Sequence, residues 1–201
     1  MDRAPALLIL ANPVARGEAR MRFLDALDST LRVGLSCGLP MLLVAPGDIA
    51  QQTRQLLPGD CVVELGTDAT QLSSQSDFFA RAVSAGVLAS ANGNGWLVMP
   101  GDTPIQHADT LQKMAEALMT QSVVYPQYHQ MQGYPIGFSS EFYSELIRLQ
   151  TERDWGRLMA RYPAQGIDVD DVGVLASATD HNLLAPFMGQ QQSDLLGRGL
   201  Q

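Results

Sequence analysis

The chain has 201 residues, a formal net charge of −8 and a hydrophobic share of 46%. The length suits one large α/β domain with a sizeable core, and the acidic balance excludes a general nucleic-acid binder, which needs a basic surface to displace counterions. A pocket for one nucleotide is not excluded, because a few cations suffice there.

The elements alternate along the chain. Apolar runs predict strands at Ala6–Ala11, Met41–Ala45, Cys61–Leu65, Trp96–Met99 and Ser122–Tyr125. They are nearly continuous rather than alternating, which suits a sheet buried on both faces. Helices are predicted at Ala19–Val33, Ile49–Leu57, Gln75–Ser90 and Ile105–Thr120, the last carrying the stripe Ile105, Ala108, Leu111, Met114, Ala115, Leu118 and Met119. This βαβα order predicts a three-layer α/β/α domain with a mostly parallel, doubly wound sheet. After Tyr125 the pattern changes. Residues 126–138 read as a polar loop punctuated by Gly and Pro, with a short strand at its end. Helices at Glu141–Leu149 and Asp154–Arg161 follow, then a late strand at Ile167–Asp171. One domain over residues 1–188 is expected, and the Gln/Gly-rich tail 189–201 is expected to fray.

Charge and cysteine usage add little. Lys113 is the single lysine, and five arginines (Arg3, Arg16, Arg20, Arg22, Arg32) fall in the first 32 residues. The N-terminal part is thus the natural place for an anion, unless these arginines form a solvated helix face. Cys37 and Cys61 lack metal or redox spacing. With no disulfide framework, and an N-terminal apolar run too short for a signal h-region or a membrane span, a cytoplasmic location and no membrane partner are expected.

The segment Trp96-Leu-Val-Met-Pro-Gly-Asp-Thr-Pro104 carries the most chemistry. In an open α/β sheet ligands bind beyond the carboxyl ends of the strands, and Asp102 stands at such an end. A carboxylate there suits Mg²⁺, which takes one or two carboxylates plus substrate phosphates. The competing reading is a helix start, with Asp102 or Thr103 as cap and Pro104 at the first helical position. Asp170 and Asp171 are adjacent, so on a strand they point to opposite faces; one faces the site, or both are solvated. Arg16 and Arg20 are four apart and share a helix face. They either contact a triphosphate or pair with Glu18 or Asp25. His107 and His129 have no partner at ligand spacing, and Ser73, Ser74 and Ser76 read as helix caps.

Taken together, these segments resemble the MobA/MocA-like molybdenum cofactor nucleotidyltransferases of the GT-A-like superfamily. Gly95–Pro104 is similar to that family's strand ending in Gly/Ala-Asp-Met-Pro. Val124-Tyr-Pro-Gln-Tyr with Gln132-Gly-Tyr-Pro-Ile-Gly-Phe138 is similar to its Pro-x-Tyr…Gly-His-Pro-Val-x-Phe loop, and Val169–Val174 to its Val-Asp-Asp-x-Gly segment. The likeness spans residues 6–184. It implies a Rossmann-like fold of the nucleotide-diphospho-sugar transferase type. The implied reaction transfers a nucleotidyl group from CTP or GTP to a phosphorylated acceptor such as molybdopterin, with Mg²⁺ as cofactor. A molybdoenzyme or cofactor-pathway protein is the implied partner. On this resemblance Asp102 is catalytic, and Asp102 and Asp170 hold the metal. Leu10, Ala11, Asn12, Arg16 and Arg20 bind the nucleotide, while Gly133, Tyr134 and Pro135 border the acceptor.

The departures are specific. The family's first loop reads Leu-Ala-Ala-Gly-x-Ser-x-Arg-Phe/Met-Gly-x-x-Lys; here it is Leu10-Ala-Asn-Pro-Val-Ala-Arg-Gly-Glu-Ala-Arg20. Pro13 replaces a glycine whose bare N–H can approach phosphate, and proline has no N–H to give. The loop lysine is missing, and Tyr134 stands where the family has histidine. The C-terminal acidic signature is reduced to Ala176–Asn182. A catalytically inactive relative that binds a nucleotide, a cofactor precursor or a partner protein is therefore the alternative.

Overall fold

A computed structural model describes residues 4–12, 17–65 and 75–175, with backbone only at 75 and 76. The chain runs β1 (Ala6–Leu10), α1 (Glu18–Ser36), β2 (Met41–Pro46), α2 (Gly47–Thr53), β3 (Val62–Leu65), α3 (Gln75–Ala89), β4 (Trp96–Pro100) and α4 (Ala108–Ala117). It continues with β5 (Val123–Tyr128), β6 (Met131–Gln132), β7 (Ile136–Phe138), α5 (Tyr143–Leu146), α6 (Glu152–Arg161) and β8 (Gln165–Asp168). One eight-stranded sheet holds them in the order β3-β2-β1-β4-β7-β5-β6, with β8 alongside β5. β1, β2, β3 and β4 are parallel; β7 enters antiparallel between β4 and β5, and β8 is parallel to β5. The fold is the expected α/β sheet with a mostly parallel core flanked by helices.

Alternation along β1 sets the layers. Every residue of β1 is buried, so both of its faces are covered. Gly34 of α1 lies against Leu7 and Ile9, while Gly86 of α3 lies against Leu8 and Val44. Odd and even side chains of one strand thus meet helices on opposite sides, as period two requires. Each glycine lets its helix settle onto branched side chains: a Cβ at Gly86 would fall 3.0 Å from Leu8 Cδ1. Fully burying a Leu or Ile stabilises by about 1.5–3 kcal/mol, so this five-residue strand anchors the core. α6 adds an amphipathic layer, with Trp155 packed edge-on against Phe79 of α3 at 5.1 Å between centroids.

Four predicted elements differ from the structure. The Ile105–Thr120 helix starts only at Ala108, with His107 as N-cap. Pro104 is therefore not at a first helical position, and neither Asp102 nor Thr103 caps α4. Thr103 O is already taken by the Ile105 N–H and the Thr30 hydroxyl, and a remote carboxylate, Asp171, accepts the backbone N–H groups of Gln106 and His107 at the start of the helix. The strand predicted at Ile167–Asp171 runs from Gln165 to Asp168, leaving Asp170 and Asp171 beyond it. The polar loop at 126–138 contains a hairpin: β5 continues through Tyr128 and turns at His129 and Gln130, whose φ values are 48° and 66°. The helix predicted at Glu141–Leu149 is a 3-10 turn (Ser140–Phe142) followed by the single turn of α5. The tail 189–201 and the segment 176–182 lie outside the described residues.

Candidate active site

The crossover from β3 to β4 carries the chain back across the sheet, so β1 and β4 pair directly although they are distant in sequence. Their register sets Leu10 opposite Pro100. The chain therefore leaves both strands side by side, and the connections then run toward opposite edges of the sheet, to β2 from β1 and to β5 from β4. This is the switch point where α/β sheets bind ligands.

Leu10 O accepts Gly101 N–H at 2.8 Å, and Ala11 N–H donates to Val44 O at 2.9 Å. These groups of Leu10 and Ala11 are spent on the sheet, and Asn12 is the first residue past β1 with a polar side chain. Asn12, Asp102 and Thr103 are all buried, Asp102 to 1% exposure. The Asp102 turn is pinned from two sides: Thr103 N–H reaches Pro100 O at 3.3 Å, and the Thr30 hydroxyl of α1 donates to Thr103 O at 2.9 Å.

Five buried side-chain polar atoms among the described residues make no hydrogen bond: Asn12 Oδ1 just past β1, Thr103 Oγ1 just past β4 and Tyr134 OH just before β7, with Gln132 Oε1 and Arg81 Nε besides. Buried polar atoms are nearly always paired, so a cluster of exceptions marks a place built for something else. Tyr134 follows Gly133 in the turn before β7, and its peptide bond to Pro135 is cis. Burial, and secondarily the Asp102 charge, push the Tyr134 phenol far above its ordinary pKa. It is therefore neutral and able to donate. Its ring lies 6.4 Å from that of Phe79.

The donors present are hard oxygens: a carboxylate, an amide carbonyl and hydroxyls. No group of three or more His, Cys, Asp or Glu side chains forms a metal cage among the described residues. This set fits a divalent cation that completes its shell with phosphate and water rather than one held by protein alone.

Other expected site residues fall as follows. Asp170 is exposed, past the end of β8 and at the same end of the sheet as Asp102. Asp171 is buried and saturated, so the two are not both solvated. Arg20 pairs with Asp48 of α2 at 2.8 Å, not with Glu18 or Asp25. Lys113 donates to Asp168 O beside β8. Pro13, Arg16, Ser73 and Ser74 lie outside the described residues, as does the side chain of Ser76. Two surface cavities, of about 250 and 400 Å³, lie elsewhere: one is bordered by Ala4, Asn94 and Met119, the other by Ser122, Glu141 and Tyr162. Thr30 was not visible as a site residue in the sequence; it sits 73 positions from its partner, and nothing local marks it.

A buried aspartate thus stands at the end of β4 beside the end of β1, where doubly wound α/β domains bind their ligands. The chain belongs to the MobA-like NTP transferase domain family, whose model matches residues 26–166. That match begins after β1 and its loop, the stretch where the sequence departs from the family pattern. No curated protein sequence gives a significant match. Among solved structures, the fold is similar to Rv0371c from Mycobacterium tuberculosis H37Rv, at 22% identity and a TM-score of 0.66, covering 87% of this chain and 94% of that one. A manganese complex of Rv0371c matches at 21% identity and a TM-score of 0.64, covering 86% and 94%. A 4-diphosphocytidyl-2C-methyl-D-erythritol synthase from Anaerococcus prevotii matches at 12% identity and a TM-score of 0.59, covering 94% and 96%. Family membership supports nucleotidyl transfer from a nucleoside triphosphate as the activity. No helix among the described residues is long and apolar enough to cross a membrane.

Proposed function

We propose that this protein transfers a nucleotidyl group from CTP or GTP to a phosphorylated acceptor, with molybdopterin as the acceptor that its family suggests. The acceptor phosphate oxygen attacks the α-phosphorus in line; the new O–P bond forms as the bond to the β-phosphate oxygen breaks, and pyrophosphate leaves. The chain mainly positions the reactants, as is usual in phosphoryl and nucleotidyl transfer. Asn12, Arg16 and Arg20, with the Leu10–Ala11 backbone beside them, border the nucleotide. Gly133, Tyr134 and Pro135 border the acceptor, to which Tyr134 offers its phenolic proton. Asp102, with Asp170 from the same end of the sheet, would hold Mg²⁺ or Mn²⁺, which when bound neutralises charge developing on the phosphates. Rv0371c, similar in fold, has been seen with manganese, which supports a divalent cation for this fold.

The observation that carries this reading is the buried Asp102 among the unpaired oxygens of Asn12, Thr103 and Tyr134. The test is pyrophosphate release from CTP and from GTP with molybdopterin and Mg²⁺. Release that needs the acceptor supports transfer. Absence of turnover with every nucleoside triphosphate, across phosphorylated acceptors, rejects the enzyme. Two observations favour a second reading, a binding module without turnover: Pro13 stands where the family's loop has a glycine, and the single lysine is engaged beside β8. That module binds nucleotide with the metal yet releases no pyrophosphate.

A further inference from the structure

We infer that Asp171 is a positioning residue, whose carboxylate sets the Asp102 turn and the Tyr134 turn in fixed relation by gripping the segment between them. The inference rests on the nucleotidyl-transfer reading of Asp102.

Asp171 is buried to 1% exposure, yet its carboxylate is fully engaged. Oδ2 accepts the N–H of Gln106 and of His107, each at 3.1 Å, and the Thr110 hydroxyl at 3.0 Å. Oδ1 accepts Gly173 N–H at 3.0 Å and Gln106 N–H at 3.3 Å. The first three donors belong to the chain just past Asp102, where it enters α4. The fourth opens the 3-10 turn Val172–Leu175, and within that turn Val174 O accepts Tyr134 N–H at 2.9 Å. One carboxylate thus ties the exit of β4 to the turn that carries Tyr134.

The backbones are also in direct contact. A Cβ at Gly173 would lie 1.9 Å from Pro104 O, and one at Gly133 would lie 2.3 Å from Val174 O. No side chain separates the three segments, so a shift of the middle one moves both neighbours. A buried carboxylate is tolerated only with its donors in place. The same donors therefore hold the loops. A helix cap alone would need only Gln106 and His107; the bond to Gly173 and the glycine contacts are what extend the grip to Tyr134.

The test uses the whole chain and compares Asp171→Asn with Asp154→Ala, a control that removes the distant α6 cap. Asparagine keeps the shape but sets an NH₂ against donors, whichever way it turns. Three quantities are read: thermal stability, calorimetric binding of CTP or GTP in the presence of Mn²⁺, and the Tyr134 signal in ¹³Cζ-tyrosine NMR. Groups that orient a metal's ligands typically change its affinity by about 10–100-fold when altered. Asp171→Asn is expected to weaken Mn²⁺-dependent nucleotide binding at least about tenfold and to shift the Tyr134 signal, while Asp154→Ala lowers stability and changes neither. Thr110→Val removes one donor without stranding a charge, and it is expected to move both readouts the same way by less. It serves if Asp171→Asn does not fold. Binding within twofold of the parent with an unmoved Tyr134 signal overturns the inference. Absence of nucleotide binding in the parent rejects the nucleotidyl-transfer reading instead, and the Tyr134 signal still decides whether Asp171 positions that turn.

Discussion

The hydroxyl of Thr30, on α1, donates to the backbone carbonyl of Thr103 at 2.9 Å, the residue that follows the site aspartate. It also lies 2.9 Å from Ala26 O in its own helix. Thr30→Val keeps the shape and removes this donor, leaving Thr103 O with the Ile105 N–H alone, at 2.9 Å. Loss of one such hydrogen bond costs about 0.5–1.5 kcal/mol. The variant should melt earlier in calorimetry and bind Mn²⁺ with CTP or GTP more weakly. A valine variant with parental melting and binding would show that the Asp102 turn needs no support from α1.

Asp102→Asn separates chemistry from structure. Asp102 does not cap α4, because Asp171 serves that end. The substitution should abolish metal-dependent nucleotide binding while the melting temperature stays close to the parent's. Binding retained alongside a large stability loss would make Asp102 structural.

Tyr134→Phe removes a hydroxyl that is buried without a partner. Deleting such a group is neutral or stabilising for the fold. The melting temperature should hold or rise, while pyrophosphate release falls through a higher KM for the acceptor. A fall in stability with unchanged acceptor KM would place the hydroxyl in the fold rather than the site.

The cap of α6 gives a pH signature. Thr151 and Asp154 bond reciprocally, with Asp154 Oδ2 2.8 Å from Thr151 Oγ1 and 3.0 Å from Thr151 N. The Thr151 hydroxyl bond, chiefly, holds the Asp154 carboxyl below the usual range. A depressed folded pKa favours the folded state above the unfolded value of about 3.9, and the gain is lost as pH falls through the folded value. The melting-temperature gap between the parent and Asp154→Asn should thus be constant above about pH 5 and shrink below about pH 4. A gap that persists unchanged to pH 3 would refute this.

What the sequence revealed follows from the range of the interactions involved. β1 and β4 were legible because burial on both faces leaves an unbroken apolar run, and Asp102 because it ends one. The start of α4 was not, since local capping signals at Asp102, Thr103 and Pro104 were outweighed by a carboxylate 65 positions from Gln106. The hairpin at His129 and Gln130 was hidden for a different reason: it uses left-handed backbone at residues that carry no glycine signal. For Asp170 and Asp171, period two predicts opposite faces of one strand, and the resemblance favours Asp170 for the metal. They differ because the chain has already left β8 when it reaches them, so period two no longer governs which one turns inward.

The pairing of β1 with β4 has a consequence for how the molecule is made. Until residues 96–100 are present, β1 has β2 on one side and nothing on the other. A nascent or truncated chain that stops before Trp96 presents Leu7, Leu8, Ile9 and Leu10 as a raw apolar edge, the kind that recruits strands from other chains. The switch point and the solubility of the folding intermediate thus depend on the same late event, the return of the chain across the sheet.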